Sequence, residues 1–358
     1  MKKIYKMLAV AVVAVVATTA CQDGYIDDIT AVQPGADEAP PQVTIGYPTN
    51  ATLLIPFTDE STQVNFEFEV TDDIEIASVT LALNGTTLET LTDFKDYRRI
   101  AASHLSETLP VGDYTVDVTA TDVSGKSTTK SFAFEISNIY QAKYDGEIFY
   151  MPFEGDIYLD LLENITATKV GNPGFAAGKS GRAYANTTGS YISLPAADVI
   201  NNEFSASFWY KVNATPDRAG ILTISPPGPT NNNRTSGFRL FRENAGGKQR
   251  IKLNVGNGTA DNWFDGGAAA DIDATSDWVH VAFTIAGDQC AVYINGNVVS
   301  QGTYPGISWA DCDGLTIGSG APNFTEWNHL SDLSLIDELR IFDKSLTQEE
   351  VKTIFEDN

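Results

Sequence analysis

Between Asp277 and Ser300 the chain alternates apolar and mixed positions with the period of a strand. Val279, Val281, Phe283 and Ile285 fall on one face, and Trp278, His280, Ala282 and Thr284 on the other. Gly287-Asp288 supplies a turn, Ala291–Ile294 a second strand, and Asn295-Gly296 closes it. Asn-Gly favours a tight hairpin because both residues accept a positive φ. The same alternation recurs through the C-terminal half. Phe204–Val212, Leu315–Ile317 and Leu335–Phe342 read as strands, and Phe238–Arg242 with Arg250–Val255 as a hairpin across Asn244–Gly247. Helical spacing enters only at the end. There Thr347-Gln348-Glu349-Glu350 forms a capping box, and Val351, Ile354 and Phe355 give a short helix its apolar face. Nearer the N-terminus the strand candidates are Val64–Val70, Ala77–Leu83, Tyr114–Thr121 and Ser131–Ile136, with turns at Asn84-Gly85 and Ser124-Gly125. The expected fold class is all-β, as two successive sandwiches with one short C-terminal helix.

Composition leaves that outline intact and narrows the partners. The 358-residue chain carries 23 Lys and Arg against 47 Asp and Glu, a formal charge of −24. Such a surface repels nucleic acid and anionic headgroups, so no nucleic-acid partner is expected. The first residues deviate most. Basic Lys2, Lys3 and Lys6 precede an apolar run from Met7 to Ala17, too short to span a bilayer. Small residues then lead to Cys21, and Gln22–Gln42 is acidic and proline-containing, the composition of a flexible tether. This start resembles a bacterial lipoprotein signal, cut before Cys21, which then carries the lipid. The acids after Cys21 resemble those of lipoproteins displayed by glycan-foraging Gram-negative bacteria. That resemblance implies an outer-membrane lipid anchor, a chain facing the cell exterior, and neighbouring glycan-uptake proteins as partners.

Two larger resemblances follow. Leu109-Pro110-Val111-Gly112-Asp113-Tyr114 resembles a tyrosine corner, and Val70-Thr71-Asp72-Asp73 with Ala120-Thr121-Asp122 resembles Ig-like modules of bacterial surface proteins. The order Trp-Val-His-Val-Ala from Trp278, then Val-Tyr-Ile-Asn-Gly to Gly296, and Ile336–Val351 resemble laminin G-like, concanavalin A-like jelly rolls. The opening Ile148–Asp156 and the segments Gly178–Tyr184 and Ser190–Pro195 follow in that family's order. The implied organisation is a signal over 1–20, a tether over 21–42, an Ig-like sandwich over 43–137 and a concanavalin A-like domain over 146–358.

That fold hosts both enzymes and binding modules, so chemistry must be sought in the residues. Glucanases of this fold place their acids as Glu-x-Asp-x-x-Glu on one strand. The nearest strings, Glu154–Asp160 and Asp337-Glu338, lack that spacing, and both read as structural. His104, His280 and His329 do not cluster; His280 reads as framework and His329 as a loop residue able to touch ligand. The family resemblance implies a structural Ca2+ at Glu154, Asp156 and Asp337, with Asp311 and Asp313 as a second candidate. Cys290 and Cys312 either form a disulfide or remain two separate thiols.

Sugar rings stack on aromatic faces, and their hydroxyls seek amides, carboxylates and guanidinium groups. Large aromatics in loops are therefore informative: Trp263, Trp309 and Trp327, each with Asn or Asp nearby, against Trp209 and Trp278 in strand patterns. Asn323 lies beside the last loop. Arg234, Arg239, Arg242, Lys248, Arg250 and Lys252 crowd a short stretch of an acidic chain. They suggest either a solvated face paired to acids or a basic groove for an acidic glycan, in which Arg234 and Arg239 would contact ligand. The expected function is a non-catalytic, lipid-anchored glycan-binding protein of the cell surface. An adhesive protein-binding module and a glycanase are the alternatives.

Overall fold

The computed structural model describes residues 35–227 and 233–357. The expected signal, Cys21 and the tether as far as residue 34 lie outside the described residues. The chain divides into two compact units, one comprising residues up to Leu53 with Ser61–Ile136, the other Leu54–Glu60 with Ser137 onward. Among the described residues no helix is long and apolar enough to cross a membrane.

The first unit holds two antiparallel sheets. Gln42–Tyr47, Asn65–Thr71 and Arg99–Leu105 make one; Thr52–Leu54, Ser127–Ser137, Gly112–Asp122, Ile76–Leu83 and Thr86–Leu91, in that order, make the other. Alternate side chains such as Phe66, Phe68, Val79, Leu81, Val116 and Val118 are buried, as the strand period requires. Tyr114 donates its hydroxyl to the Pro110 carbonyl at 2.8 Å, so the expected corner is present. Asp72 accepts from the amides of Ile74 and Glu75, and Asp122 from that of Lys126; both tie turns. The strands Gln42–Tyr47, Thr86–Leu91 and Arg99–Leu105 were not expected. Each is half-exposed or carries little apolar alternation, so periodicity gives no signal.

The second unit is a jelly-roll-type sandwich. Its first sheet runs Gly174–Ala177, Arg182–Ala185, Leu335–Phe342, Phe204–Lys211, Val279–Ile285, Gln289–Ile294, Asn297–Thr303, with Glu147–Met151 also paired to Leu335–Phe342. The second sheet runs Thr168–Val170, Tyr191–Pro195, Gly314–Ile317, Arg218–Ile224, Phe238–Ala245, Lys248–Gly256, Asp261–Asp265. The expected hairpin forms, with Val281 opposite Ile294 and Phe283 opposite Val292. Asn295 and Gly296 sit at φ 50° and 75°, the left-handed pair an Asn-Gly turn supplies. Phe208, Phe283 and Ile341 of the first sheet meet Leu240, Leu253 and Ile317 of the second in one core.

The outer faces of the two sheets differ. The helix Gln348–Glu356 lays Val351 and Ile354 against Ala282, Tyr293 and Phe342 of the first sheet. Its N-terminus carries the expected capping box between Thr347 and Glu350. His280 is buried under this cover beside Trp209 and Phe355, and burial drives its pKa down to about 3, so it is a neutral framework ring. Trp209 is likewise buried, with Lys179 Nζ 4.5 Å over its ring. The outer face of the second sheet is left to loops.

Candidate functional site

The strand Phe238–Ala245 sets the geometry of that face. Phe238 and Leu240 point into the core, so Arg239, Phe241 and Glu243 point outward. The neighbouring strand places Arg250, Lys252 and Asn254 outward, opposite Ile251, Leu253 and Val255. The edge strand adds Asp261, Trp263 and Asp265, with Trp263 paired to Asn254.

The loop Ser319–Ser331 crosses this face. Phe324 and His329, both wholly buried, pack on Phe241 with ring centroids 5.6 and 4.6 Å away. His329 bonds the Glu326 carbonyl through Nδ1 at 2.6 Å and Glu243 through Nε2 at 3.1 Å. The hydrogen bond from His329, against a burial penalty and with help from Lys252, holds the Glu243 carboxyl down at about 2. With these residues underneath, the loop turns through Trp327 and Asn328 at φ 53° and 65°. Trp327 stays on top, 47% exposed, and its ring centroid lies 6.1 Å from that of Trp263, 44% exposed.

Arg234 brackets the two rings. Its guanidinium carbon is 5.7 Å from the Trp263 centroid and 5.3 Å from that of Trp327. The same group bonds Asp261 at 2.8 Å and pairs with Glu326. Against its own burial, hydrogen bonds from Asn254 and Arg234 hold Asp261 below the usual carboxylate range. Two tryptophan faces and an arginine thus form a fixed aromatic shelf. A polar depression of about 390 Å³ adjoins Trp263, lined by Asp261, Asn262, Asp265, Ser300, Gln301 and Thr303. Large exposed aromatics beside hydroxyl, amide and carboxylate groups can stack a flat apolar surface and bond polar groups at its rim.

Several sequence expectations change here. Trp309 is not a surface ring: its indole N–H donates to the Asn201 carbonyl at 2.8 Å, and it packs against Phe204 and Phe238 of the core. Arg239 cannot meet a ligand. It is fully buried, and its N–H groups go to Ser225, Asn254 and the carbonyls of Asn233, Arg234 and Ser236. Burial lowers its pKa to about 10. Arg242 is also buried, on Asp332. Asn323 stands apart from the shelf, lining a second depression of about 370 Å³ with Tyr191, Ser193 and Thr316. Its amide donates to the Ser225 carbonyl. Of the remaining basic row, Arg250 pairs with Asp271 and Asp265, and Lys252 with Glu243 and Asp265. Sequence reasoning missed Phe241, Phe324 and the Glu243–His329 pair, which build the support under Trp327; only their contacts reveal it.

The expected calcium donors serve other ends. Asp337 accepts from the amides of Lys179, Ser180 and Glu338, and burial pushes its carboxyl up to about 7. Glu154 accepts from the Arg182 amide, and Asp156 pairs with the Arg182 side chain. Among the described residues no three His, Cys, Asp or Glu side chains are grouped to hold a metal, so this donor set does not fit the ion. Glu338 is occupied by Arg340 and the Tyr150 hydroxyl. Cys290 and Cys312 are separate free thiols, Cys290 buried and Cys312 partly so, rather than a disulfide.

Comparison with known proteins accords with this architecture. Residues 186–352 match the family model Laminin_G_3, described as the concanavalin A-like lectin/glucanases superfamily. That segment has a concanavalin A-like fold. The match is narrower than the expected 146–358, although Glu147–Met151 is hydrogen-bonded into the same sandwich. No curated protein matches the sequence. Among solved structures, domain 4 of AbnA, a GH43 extracellular arabinanase from Geobacillus stearothermophilus in complex with arabinotriose, is 24% identical. It covers 58% of this chain and 97% of its own, with a TM-score of 0.47. The receptor binding domain of botulinum neurotoxin C/D mosaic serotype is 16% identical, covering 60% and 52%, at 0.44. The serotype D ligand binding domain in complex with N-acetylneuraminic acid is 17% identical, covering 60% and 51%, also at 0.44. The chain spans about half the length of either toxin structure.

Proposed function

We propose that the concanavalin A-like domain is a non-catalytic glycan-binding module, and that Trp263 and Trp327 are its stacking platform. One observation carries this reading: two half-exposed tryptophans are held 6.1 Å apart on the outer face of the second sheet of this domain, the C-terminal helix packing on the first sheet instead. Exposed aromatics of this size, locked by Arg234 below and bordered by polar groups, are costly to leave in water without a ligand. Rigidity supports recognition, because a pre-positioned ring loses little entropy on binding. On this reading Cys21 carries a lipid in the outer membrane. The acidic tether and an Ig-like spacer then extend the domain outward, where it passes captured polysaccharide to neighbouring uptake proteins.

The full chain, in detergent, should be retarded in gels containing its polysaccharide and release no reducing sugar from it. The double variant Trp263→Ala, Trp327→Ala should migrate as in plain gel. Release of reducing ends by the wild type, or undiminished retardation of the double variant, overturns the proposal.

A further inference from the structure

The crowded arginines and lysines suggest, in sequence, a receptor for acidic sugars. The arrangement around the shelf points elsewhere. We infer that the shelf selects neutral glycans and turns away uronic-acid and sulfated ones; this rests on the glycan-binding proposal above.

Each partly exposed cation at the shelf already has carboxylate partners, and most have two. Arg234 lies between Asp261 and Glu326. Lys252 lies between Glu243 and Asp265, each 3.0 Å away. Arg250 bonds both oxygens of Asp271 and faces Asp265 at 3.8 Å. Arg218 has Glu243 and Asp217 at 3.9 Å. Arg239 is enclosed beneath, its donors held by neutral oxygens. Lys248 is the exposed member of the basic row with no ion pair among the described residues. It sits at the hairpin tip, six residues along the strand from Asn254, roughly 20 Å from the tryptophans.

An anionic sugar at Trp263 and Trp327 therefore meets cations whose charge is already cancelled. It also meets Asp261 and Asp265, which line the adjoining depression. A carboxylate or sulfate gains no unpaired guanidinium there, and it must approach two like charges within the screening length of ordinary buffers. A neutral ring meets no such cost. Its C–H face can stack on the indoles, while its hydroxyls donate to the same carboxylates that repel an anion.

The test is retardation of the full chain in gels containing neutral polymers (arabinan, galactan, xyloglucan) or acidic ones (polygalacturonate, alginate, heparin). Each is run at low and high salt. A neutral polymer should retard the protein, with affinity changing by less than about twofold between the salts, because no net ion pairing is formed. Acidic polymers should bind at least about tenfold more weakly, which is one decade of Kd. Glu326→Gln leaves Arg234 with one acid and should gain measurable retention on polygalacturonate while keeping its retention on the neutral polymer, which serves as its folding control. Salt-sensitive binding of an acidic polymer by the wild type, lost in Trp263→Ala, overturns the neutral preference and leaves glycan binding standing. No retention by any polymer overturns both.

Discussion

Trp309 and Trp327 stand in loops of similar composition and end in opposite surroundings. The first, in Pro305–Trp309, fills a gap against Phe204 and Phe238 and gives its indole N–H to a backbone carbonyl. The second, in Pro322–Asn328, lies on the surface. What differs is which side chain each loop offers to the sheet below. In the Trp327 loop, Phe324 and His329 take the buried positions against Phe241, so the tryptophan is displaced outward. In the Trp309 loop the tryptophan is itself the large ring against the core. An aromatic residue in a loop becomes a ligand contact only when something else closes the core beneath it.

Substitutions at the two sites should separate along this line. Trp309→Ala should cost about 3–5 kcal/mol of unfolding free energy, the cost of removing a packed indole from a core. Denaturant unfolding checks this. Glycan retention by the fraction still folded should be unchanged, and a small loss of stability would place Trp309 outside the core. Trp327→Ala should do the reverse. Retention should weaken at least about tenfold, or about 1.4 kcal/mol, while stability changes by less than about 1 kcal/mol. Equal stability losses in the two variants would break the comparison.

A smaller effect should appear in the support under Trp327. The Glu243 carboxyl falls to about 2 in the fold, from 4.5. It faces His329, Lys252 and, more distantly, Arg218. A depressed carboxyl contributes stability that is present above pH 4.5 and is lost as pH falls toward 2. Thermal unfolding of the wild type and Glu243→Gln should therefore differ most above pH 4.5 and converge near pH 2. A difference that stays constant with pH would mean that Glu243 is not the anchor of this loop.

Much of the framework was legible along the chain. Alternation located the hairpin Val279–Ile294, the Asn295-Gly296 pair set the turn that follows it, and Thr347 with Glu350 announced the final helix. These signals are local: a period, a turn dihedral and a cap each depend on residues a few positions apart. The strands Gln42–Tyr47 and Arg99–Leu105 escaped because half-exposed strands need little apolar alternation. Candidate residues were legible by type and not by place. Trp263, Trp327 and Arg234 stand out by residue type, and the fold brings them together, with Trp263 on an edge strand rather than in a loop. Arg239 and Trp309 stand out on the same grounds, yet Arg239 is fully buried and Trp309 is partly buried against the core with its indole N–H on a backbone carbonyl.

The sequence by itself determined an all-β chain, its main hairpin, its C-terminal helix and a strongly acidic surface, because each follows from neighbouring residues or from simple counts. Only the tertiary structure decided which aromatics face solvent and which charges remain unpaired. Burial and ion pairing are set by residues far apart in the chain. Arg234 meets Glu326 across 92 positions, and Glu243 meets His329 across 86, and no periodicity records such distances.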